Sequence, residues 1–306
     1  MTSQTKSEGR IVAVSRGQDM AFAVLGVAVL VLAMSLLAAL IIDLMRDGLS
    51  RIDLQFLTEF PSRRPASAGI LSAWVGTTLI MFVTALLAIP LGVGAGVYLE
   101  EYAPKNWMTD VIDVNISNLA GVPSIIYGLL ALGFFVYALQ LGQTILVGGL
   151  VLALLILPIV IVATREAVRS VPSGLRESAY GVGCNRWQVV WRYVLPSARP
   201  GILTGAIVGL SRAIGETAPI ITIGALTFIA FLPPSPLQGT PPFVNFDWLD
   251  SPFTVMPIQM FNWLSRPQEA FHVNAAATGV LLLLMTLVMN GFAIFLRYHL
   301  RRSLRT

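Results

Sequence analysis

VNISNLAGVPSIIYGLLALGFFVYALQLGQTILVGGLVLALLILPIVIVAT is the sequence of residues 114–164, and these 51 residues include no Asp, Glu, Lys or Arg. A bilayer core about 30 Å thick is spanned by roughly 20 apolar residues in a helix. The run is therefore long enough for two spans, and the polar segment Gln140-Leu-Gly-Gln143 predicts the break between them. This stretch favours an all-α, polytopic membrane protein.

Four other stretches have the same character, namely residues 20–42, 65–99, 217–246 and 270–296. The first, second and last predict spans at about Met20–Ile42, Gly69–Tyr98 and Val273–Leu296. The stretch 217–246 joins the apolar segment that starts at Gly201, and we expect one helix there. Six transmembrane helices are predicted in total.

The overall composition agrees with a membrane protein. Hydrophobic residues make up 56% of the 306 residues, charged residues 12%, and mean hydropathy is +0.76. A soluble domain has about twice that charged fraction, so a soluble globular fold is excluded. The lone Cys184 excludes an intrachain disulfide. The first apolar run is too long for a cleaved signal peptide, so an uncleaved span is expected.

The distribution of basic residues predicts the orientation. Fourteen Lys and Arg residues lie on the side of the two termini and five on the other side, which places both termini in the cytoplasm. One external loop holds eight of the eighteen prolines and is expected to be rigid and irregular, either as a spacer or as a docking surface. The predicted organisation begins with a cytoplasmic tail 1–19, a first helix 20–42 and an external loop 43–68. A core of five helices follows at 69–296, and a basic tail at 297–306 ends the chain. The core includes the cytoplasmic loop 165–200 and the proline-rich external loop 233–271.

Enzyme motifs are missing from the sequence. There is no G-x-x-x-x-G-K-[ST] loop for ATP, no H-E-x-x-H zinc motif and no G-x-S-x-G nucleophile elbow. One cysteine and two histidines are too few for a zinc site. We expect a non-enzymatic chain without a cofactor of its own, and polar groups within a membrane then favour transport.

The cytoplasmic loop is predicted to form two short helices between Ser173 and Pro196. Gly183 suits the residue that follows a helix end, and Asn185 with Gln188 resembles a capping box that opens the second helix. Pro196 is expected to end that second helix. Such a helix between two spans either rests at the membrane interface or is a handle for a soluble partner.

Two charges lie in the fifth predicted span. Arg212 is about 16 Å beyond Gly201, near the bilayer midplane, and Glu216 is one turn further. Each uncompensated charge there costs roughly 2.5–3.5 kcal/mol. Either the two form a structural ion pair that fixes this helix to a neighbour, or Arg212 binds an anion and Glu216 orients it. The planar guanidinium suits phosphate oxygens.

Polar side chains also occur in the third span. Asn118, Ser124 and Tyr127 flank Pro123, which is expected to kink the helix. They would form interhelical hydrogen bonds or, alternatively, line an anion route.

The cytoplasmic loop resembles the EAA loop of permease subunits in ABC importers, which has Glu-Ala-Ala, three residues, Gly, nine residues and Ile-x-Leu-Pro. Here Glu177-Ser-Ala179 is followed at that spacing by Gly183 and by Tyr193-Val-Leu195-Pro196. Ser178 and Tyr193 depart from the pattern. The resemblance implies a type I importer permease fold in which the loop binds an ATPase subunit that itself holds ATP and Mg²⁺. The implied coupling residues are Glu177, Ser178, Ala179, Gly183, Leu195 and Pro196.

Two further segments narrow the resemblance. Residues 119–128, LAGVPSIIYG, and 212–219, RAIGETAP, resemble the permeases of phosphate-specific importers. These imply a multi-pass subunit of the bacterial plasma membrane, paired with a second, PstC-like permease, two PstB-like ATPases and an external PstS-like phosphate-binding protein. A permease for sulfate or molybdate, an ATP-independent transporter and an intramembrane enzyme are the alternatives, in that order. The implied path residues are Arg212, Glu216, Asn118, Ser124, Tyr127 and Thr217.

Overall fold

The computed structural model describes residues 4–236, 238 and 243–302, and this part of the chain is helical without a β-strand. In the same part, three π-helical turns, Tyr98–Tyr102, Leu132–Ala138 and Val190–Val194, extend or join α-helices. The α-helices are α1 Gln4–Gly48, α2 Leu54–Thr58, α3 Leu71–Val97, α4 Trp107–Leu119, α5 Ser124–Ala131, α6 Ile145–Arg169, α7 Ser173–Gly181, α8 Arg186–Val189, α9 Leu195–Gly215, α10 Ala218–Thr222, α11 Met256–Leu264 and α12 Glu269–Arg302.

Helix α6 is the centre of the bundle and packs extensively on both α3 and α9. Small residues let α9 approach α6 closely. A Cβ added to Gly201 would lie 2.6 Å from the Cβ of Ala167, and one added to Gly205 would overlap Ala163. Larger side chains at these positions would force α9 away from the core.

Among the described residues, four helical segments are long and apolar enough to cross a membrane, and a bent pair, α4 with the segment Ser124–Ala138, makes up to five. Helix α6 begins after a break at Leu139–Thr144, where Gln140 has a φ of 54°. The predicted break near Gln140 is thus confirmed. The fifth predicted span, α9, has membrane length but contains two arginines, so composition alone does not mark it as a span.

The third predicted span is not one helix. Helix α4 ends at Leu119, and α5 begins at Ser124 in a direction that differs by 105°. Pro123 supplies the cap position of α5, where its missing N–H costs no hydrogen bond. Helix α5 then packs on α10 so tightly that a Cβ at Gly128 would lie 2.7 Å from the Pro219 Cα. The sequence predicts a kink within one helix, whereas the structure has a sharp turn between two.

The fifth predicted helix also differs from expectation at both ends. Pro196 does not end the second loop helix, because α8 continues through the π-turn Val190–Val194 into α9. Pro196 lies in the first turn of α9, where proline is tolerated. At the other end α9 stops at Gly215, since Glu216 adopts an extended conformation with φ −76° and ψ 122°.

The terminal helices pack against each other at the edge of the bundle. Helix α1 extends beyond the predicted span 20–42 into the predicted tail, and its described side chains are mostly exposed. It contacts α12 where Gly48 meets the backbone of Ala276. Helix α12 continues to Arg302, so the basic tail is partly helical, and residues 303–306 lie outside the described part.

The proline-rich loop is more ordered than its composition suggests. It contains helix α11, whose Trp263 is fully buried, and Trp248 from the same loop enters the core beneath α3 and α6. The backbone N–H of Met256 donates to the Thr77 hydroxyl of α3 over 3.0 Å. The prediction of irregular structure is therefore wrong for residues 256–264, and residues 237 and 239–242 lie outside the described part.

Candidate functional site

An ion pair marks the point where α9 ends. Arg212 lies in the last turn of α9, and its Nε donates to the Oε1 of Glu216 over 3.2 Å. The Arg212 side chain is 39% exposed and that of Glu216 18%. Because the helix stops at Gly215, the carboxylate folds back towards a guanidinium on its own segment.

This geometry leaves most donors of Arg212 unused. The guanidinium has five N–H groups, and within the described residues only the Nε–H has a hydrogen-bond partner. The salt bridge joins two residues of one segment and does not fix α9 to a neighbouring helix. The two terminal nitrogens therefore remain available to an anionic ligand.

The sharp turn between α4 and α5 places a tyrosine against the core at the end of α9. Tyr127 packs on the core cluster that includes Ala213 and Ile214, and its hydroxyl donates to the Leu119 carbonyl over 2.8 Å. Ser124 is the half-buried first residue of α5, one turn before Gly128. Helix α5 is held in place by its contact with α10, so the turn positions Tyr127 on the part of the core that adjoins the end of α9.

Two predicted path residues lie in different surroundings. Thr217 is half-buried beside Glu216, and its hydroxyl is 3.5 Å from the Gly215 carbonyl. Asn118 is exposed at the end of α4 and lines a cavity of about 410 Å³ together with Ser117 and Arg165. Arg212 does not line that cavity, so Asn118 faces a second polar space.

Two local features of the loop between α6 and α9 form as the sequence predicts. Helix α7 ends at Gly181, and Gly183 adopts a φ of +87°, which an L-residue rarely tolerates. The N–H groups of Gly183 and Cys184 donate to the carbonyls of Tyr180 and Ala179, which is a Schellman motif. The capping box of Asn185 and Gln188 is also formed.

An ion network at the start of this loop is absent from the sequence prediction. Three arginines of α6 and α7 each meet a carboxylate of α4 or of the turn after α3, and their partners are 52 to 75 residues away in sequence. The only sequence signal is that acids and arginines occupy the same predicted side of the membrane. The pairs are Arg165 with Asp113 (2.6 and 2.8 Å), Arg169 with Glu100 (3.0 and 3.1 Å) and Arg176 with Glu101 (2.8 and 3.1 Å).

Residues 88–306 match the family described as the inner membrane component of binding-protein-dependent transport systems. That match covers more than half of the chain. The chain belongs to this family.

Relatives and solved structures agree with membership of this transport family. A probable ABC transporter permease protein, YqgI of Bacillus subtilis strain 168, is 37% identical, with 79% of this chain and 78% of the relative covered. The phosphate transport system permease protein PstA of Pasteurella multocida strain Pm70 is 31% identical, with 83% of this chain and 85% of the relative covered. A bacterial alginate ABC transporter, solved with its alginate-bound periplasmic protein, shares the fold at a TM-score of 0.63 and 14% identity, with 90% and 93% covered.

This inner membrane component is thus a multi-pass permease with the fold of ABC importers. The coupling residues that the sequence predicts divide by exposure. Glu177 and Ser178 are exposed on α7, whereas Ala179 is buried against the core. Leu195 and Pro196 are half-buried at the start of α9. In the described part, no cluster of three or more His, Cys, Asp or Glu residues could hold a metal ion.

Proposed function

We propose that this chain is the permease subunit of an ATP-driven importer of inorganic phosphate. The observation that supports it best is the guanidinium of Arg212, which has one internal partner and unused N–H groups at the end of α9. Family membership supports an importer subunit, and the relative named as a phosphate transport permease supports phosphate as the substrate. Both termini would lie in the cytoplasm of a bacterial cell.

The chemistry of the pair suits a passing oxyanion. The terminal nitrogens of Arg212 can donate two parallel hydrogen bonds to two oxygens of one phosphate. Glu216 would hold the guanidinium in position through Nε and reduce the net positive charge when no anion is bound. Partial neutralisation matters because an anion that binds too tightly would not leave. Tyr127, Thr217 and Ser124 would complete the route at this level.

Energy would come from a separate ATPase, which would bind ATP and Mg²⁺ and contact the loop between α6 and α9, here called the coupling loop. Glu177 and Ser178 would contact that subunit, while Gly183 and Leu195–Pro196 shape the loop. From this loop α9 runs without interruption for about 26 Å to Arg212. A displacement of the loop by the ATPase would therefore move the anion site directly.

The remaining partners follow from membership of a binding-protein-dependent family. We expect a second, PstC-like permease to form the other half of the pathway and two PstB-like ATPases to bind the coupling loops. A PstS-like protein would deliver phosphate on the opposite side. In the second polar cavity, Asn118 would contact the anion after it has passed Arg212.

Replacement of Arg212 tests the proposal. In vesicles that contain the complete transporter, Arg212→Ala is expected to reduce phosphate uptake at least a hundredfold, since a charge-assisted bidentate contact is lost. Arg212→Lys should also transport poorly because a point charge does not reproduce the planar fork. Arg63→Ala, which removes an exposed arginine elsewhere, is the matched control and should transport normally.

The same vesicles distinguish the alternatives. Uptake of sulfate or molybdate that phosphate does not inhibit would establish a permease for another oxyanion. Transport without ATP would establish a secondary transporter. If Arg212→Ala instead prevented the subunits from copurifying, the pair would be structural and the proposed role of Arg212 would be wrong.

A further inference from the structure

A groove separates α9 from α12 at the end of the bundle where α12 becomes basic. Its volume is about 380 Å³. Arg297 lies along it and donates from Nη1 to the Thr204 hydroxyl over 3.0 Å, and that hydroxyl donates to the Pro200 carbonyl over 2.7 Å. The groove is lined by Pro200, Gly201, Thr204, Ile294, Arg297 and Tyr298.

The charge around the groove is positive and uncompensated. Between residues 178 and 215, and again between 270 and 306, the sequence contains arginines but no Asp or Glu. Arg199 precedes the groove residue Pro200, and neither Arg199 nor Arg297 forms a salt bridge in the described part of the chain. The arginines of the network near α7, by contrast, all face carboxylates.

The apolar side of the groove faces outwards. Ile294, Phe295 and Tyr298 are exposed on α12, at 49%, 64% and 67% respectively. Exposed aliphatic and aromatic groups next to a tyrosine and a cluster of arginines are typical of the depth where acyl chains meet headgroups. A ligand that fits both parts has an anionic oxygen group and a hydrocarbon chain.

We propose that this groove binds an anionic phospholipid, with Arg297 donating to the headgroup phosphate and Ile294 contacting an acyl chain. Basic pockets between membrane helices suit such headgroups, because anionic lipid concentrates near clustered Lys and Arg. A free phosphate ion would satisfy the guanidinium but not the exposed apolar wall. The site lies apart from Arg212 and has a different ligand.

The groove is mechanically linked to the anion site. Helices α9 and α12 are joined by two hydrogen bonds, Thr204 with Arg297 and Ser211 with Asn290, and the partners are spaced seven residues apart on each helix. Ser211 immediately precedes Arg212. A lipid that bridges the two helices at Arg297 would therefore stabilise the register of α9 between the coupling loop and Arg212.

Lipid retention by the whole complex provides the test. The complete transporter is purified from nanodiscs of phosphatidylcholine with phosphatidylglycerol, and native mass spectrometry counts the phosphatidylglycerol that remains bound. We expect Arg297→Gln to lower its retention about fivefold, the effect of one basic residue near an anionic surface. Arg46→Gln, which removes an exposed arginine of α1, should leave retention unchanged.

Three further measurements distinguish a lipid site from a structural arginine, a site for free phosphate and a subunit interface. Thr204→Val removes the internal partner of Arg297 but leaves the guanidinium, so lipid retention should be preserved; an equal loss in this variant would show that Arg297 is only structural. Displacement of the lipid by millimolar inorganic phosphate would show that the groove binds the free ion. Density for a neighbouring subunit in the groove, in a cryo-EM map of the complex, would also overturn the proposal.

Discussion

Two groups of arginines in this permease have opposite hydrogen-bonding arrangements. Near the coupling loop, Arg165 forms a bidentate bridge to Asp113, and Arg176 donates to Glu101 and to two carbonyls. At the far end of α9, Arg212 donates to Glu216 through one N–H. The first arrangement leaves little donor capacity for a ligand, whereas the second leaves most of it.

The difference separates charges that hold helices together from a charge that can act on a substrate. The coupling-loop network joins α6 and α7 to α4 and the turn after α3, through partners 52 to 75 residues apart, so its loss should affect the folded structure. The Arg212–Glu216 pair lies within one segment, so its loss should affect transport more than folding. Measurements of stability and transport on matched variants test this distinction.

The largest expected effect is on stability. Arg165→Ala leaves the half-buried carboxylate of Asp113 without a cation, which should cost about 3 kcal/mol. Thermal unfolding of the purified complex, followed by tryptophan fluorescence, measures the loss. Arg212→Ala should change the midpoint little under the same conditions. Equal destabilisation by both variants would remove the distinction between the two groups.

An intermediate effect is expected in the coupling loop. Gly183→Ala places a side chain at a φ of +87°, which costs roughly 1–2 kcal/mol, so the loop should bind the ATPase about tenfold more weakly. Gly181→Ala is the matched control, because Gly181 has open space and an ordinary φ. Copurification of the ATPase measures both. Unchanged binding with Gly183→Ala would show that the Schellman turn is not needed for coupling.

Local features of the fold could be predicted from the sequence. Long charge-free runs indicate α3 and α6, since charged side chains are costly in the part of a helix that lies within the membrane. The turn at Gly183 and the box at Asn185 depend on neighbours within six residues, so spacing alone identifies them. These features need no information about distant parts of the chain.

Features that depend on long-range contacts could not be predicted. The 105° turn before α5 requires the packing of Gly128 on Pro219, and a proline in a span is compatible with a mild kink as well. The helix through Pro196 requires a π-turn that composition does not reveal. Polarity identifies candidate path residues, but it cannot distinguish the surroundings of Asn118 from those of Arg212.

The smallest expected effect sharpens the role assigned to the pair itself. Glu216→Gln keeps a group that can accept from Arg212 Nε but removes the negative charge, which at this separation is worth about 1 kcal/mol in a wet site. Phosphate should then bind about fivefold more tightly and leave more slowly, so both the KM and the maximal rate of uptake should fall. Uptake at a series of phosphate concentrations measures the two constants, with Glu269→Gln as the control, since Glu269 is an exposed carboxylate that does not line the cavity of Asn118. A rise in KM with Glu216→Gln would mean that the carboxylate positions the guanidinium for binding and does not moderate its charge. The substitution makes the site more positive, so phosphate could bind more weakly only if the guanidinium had lost its position.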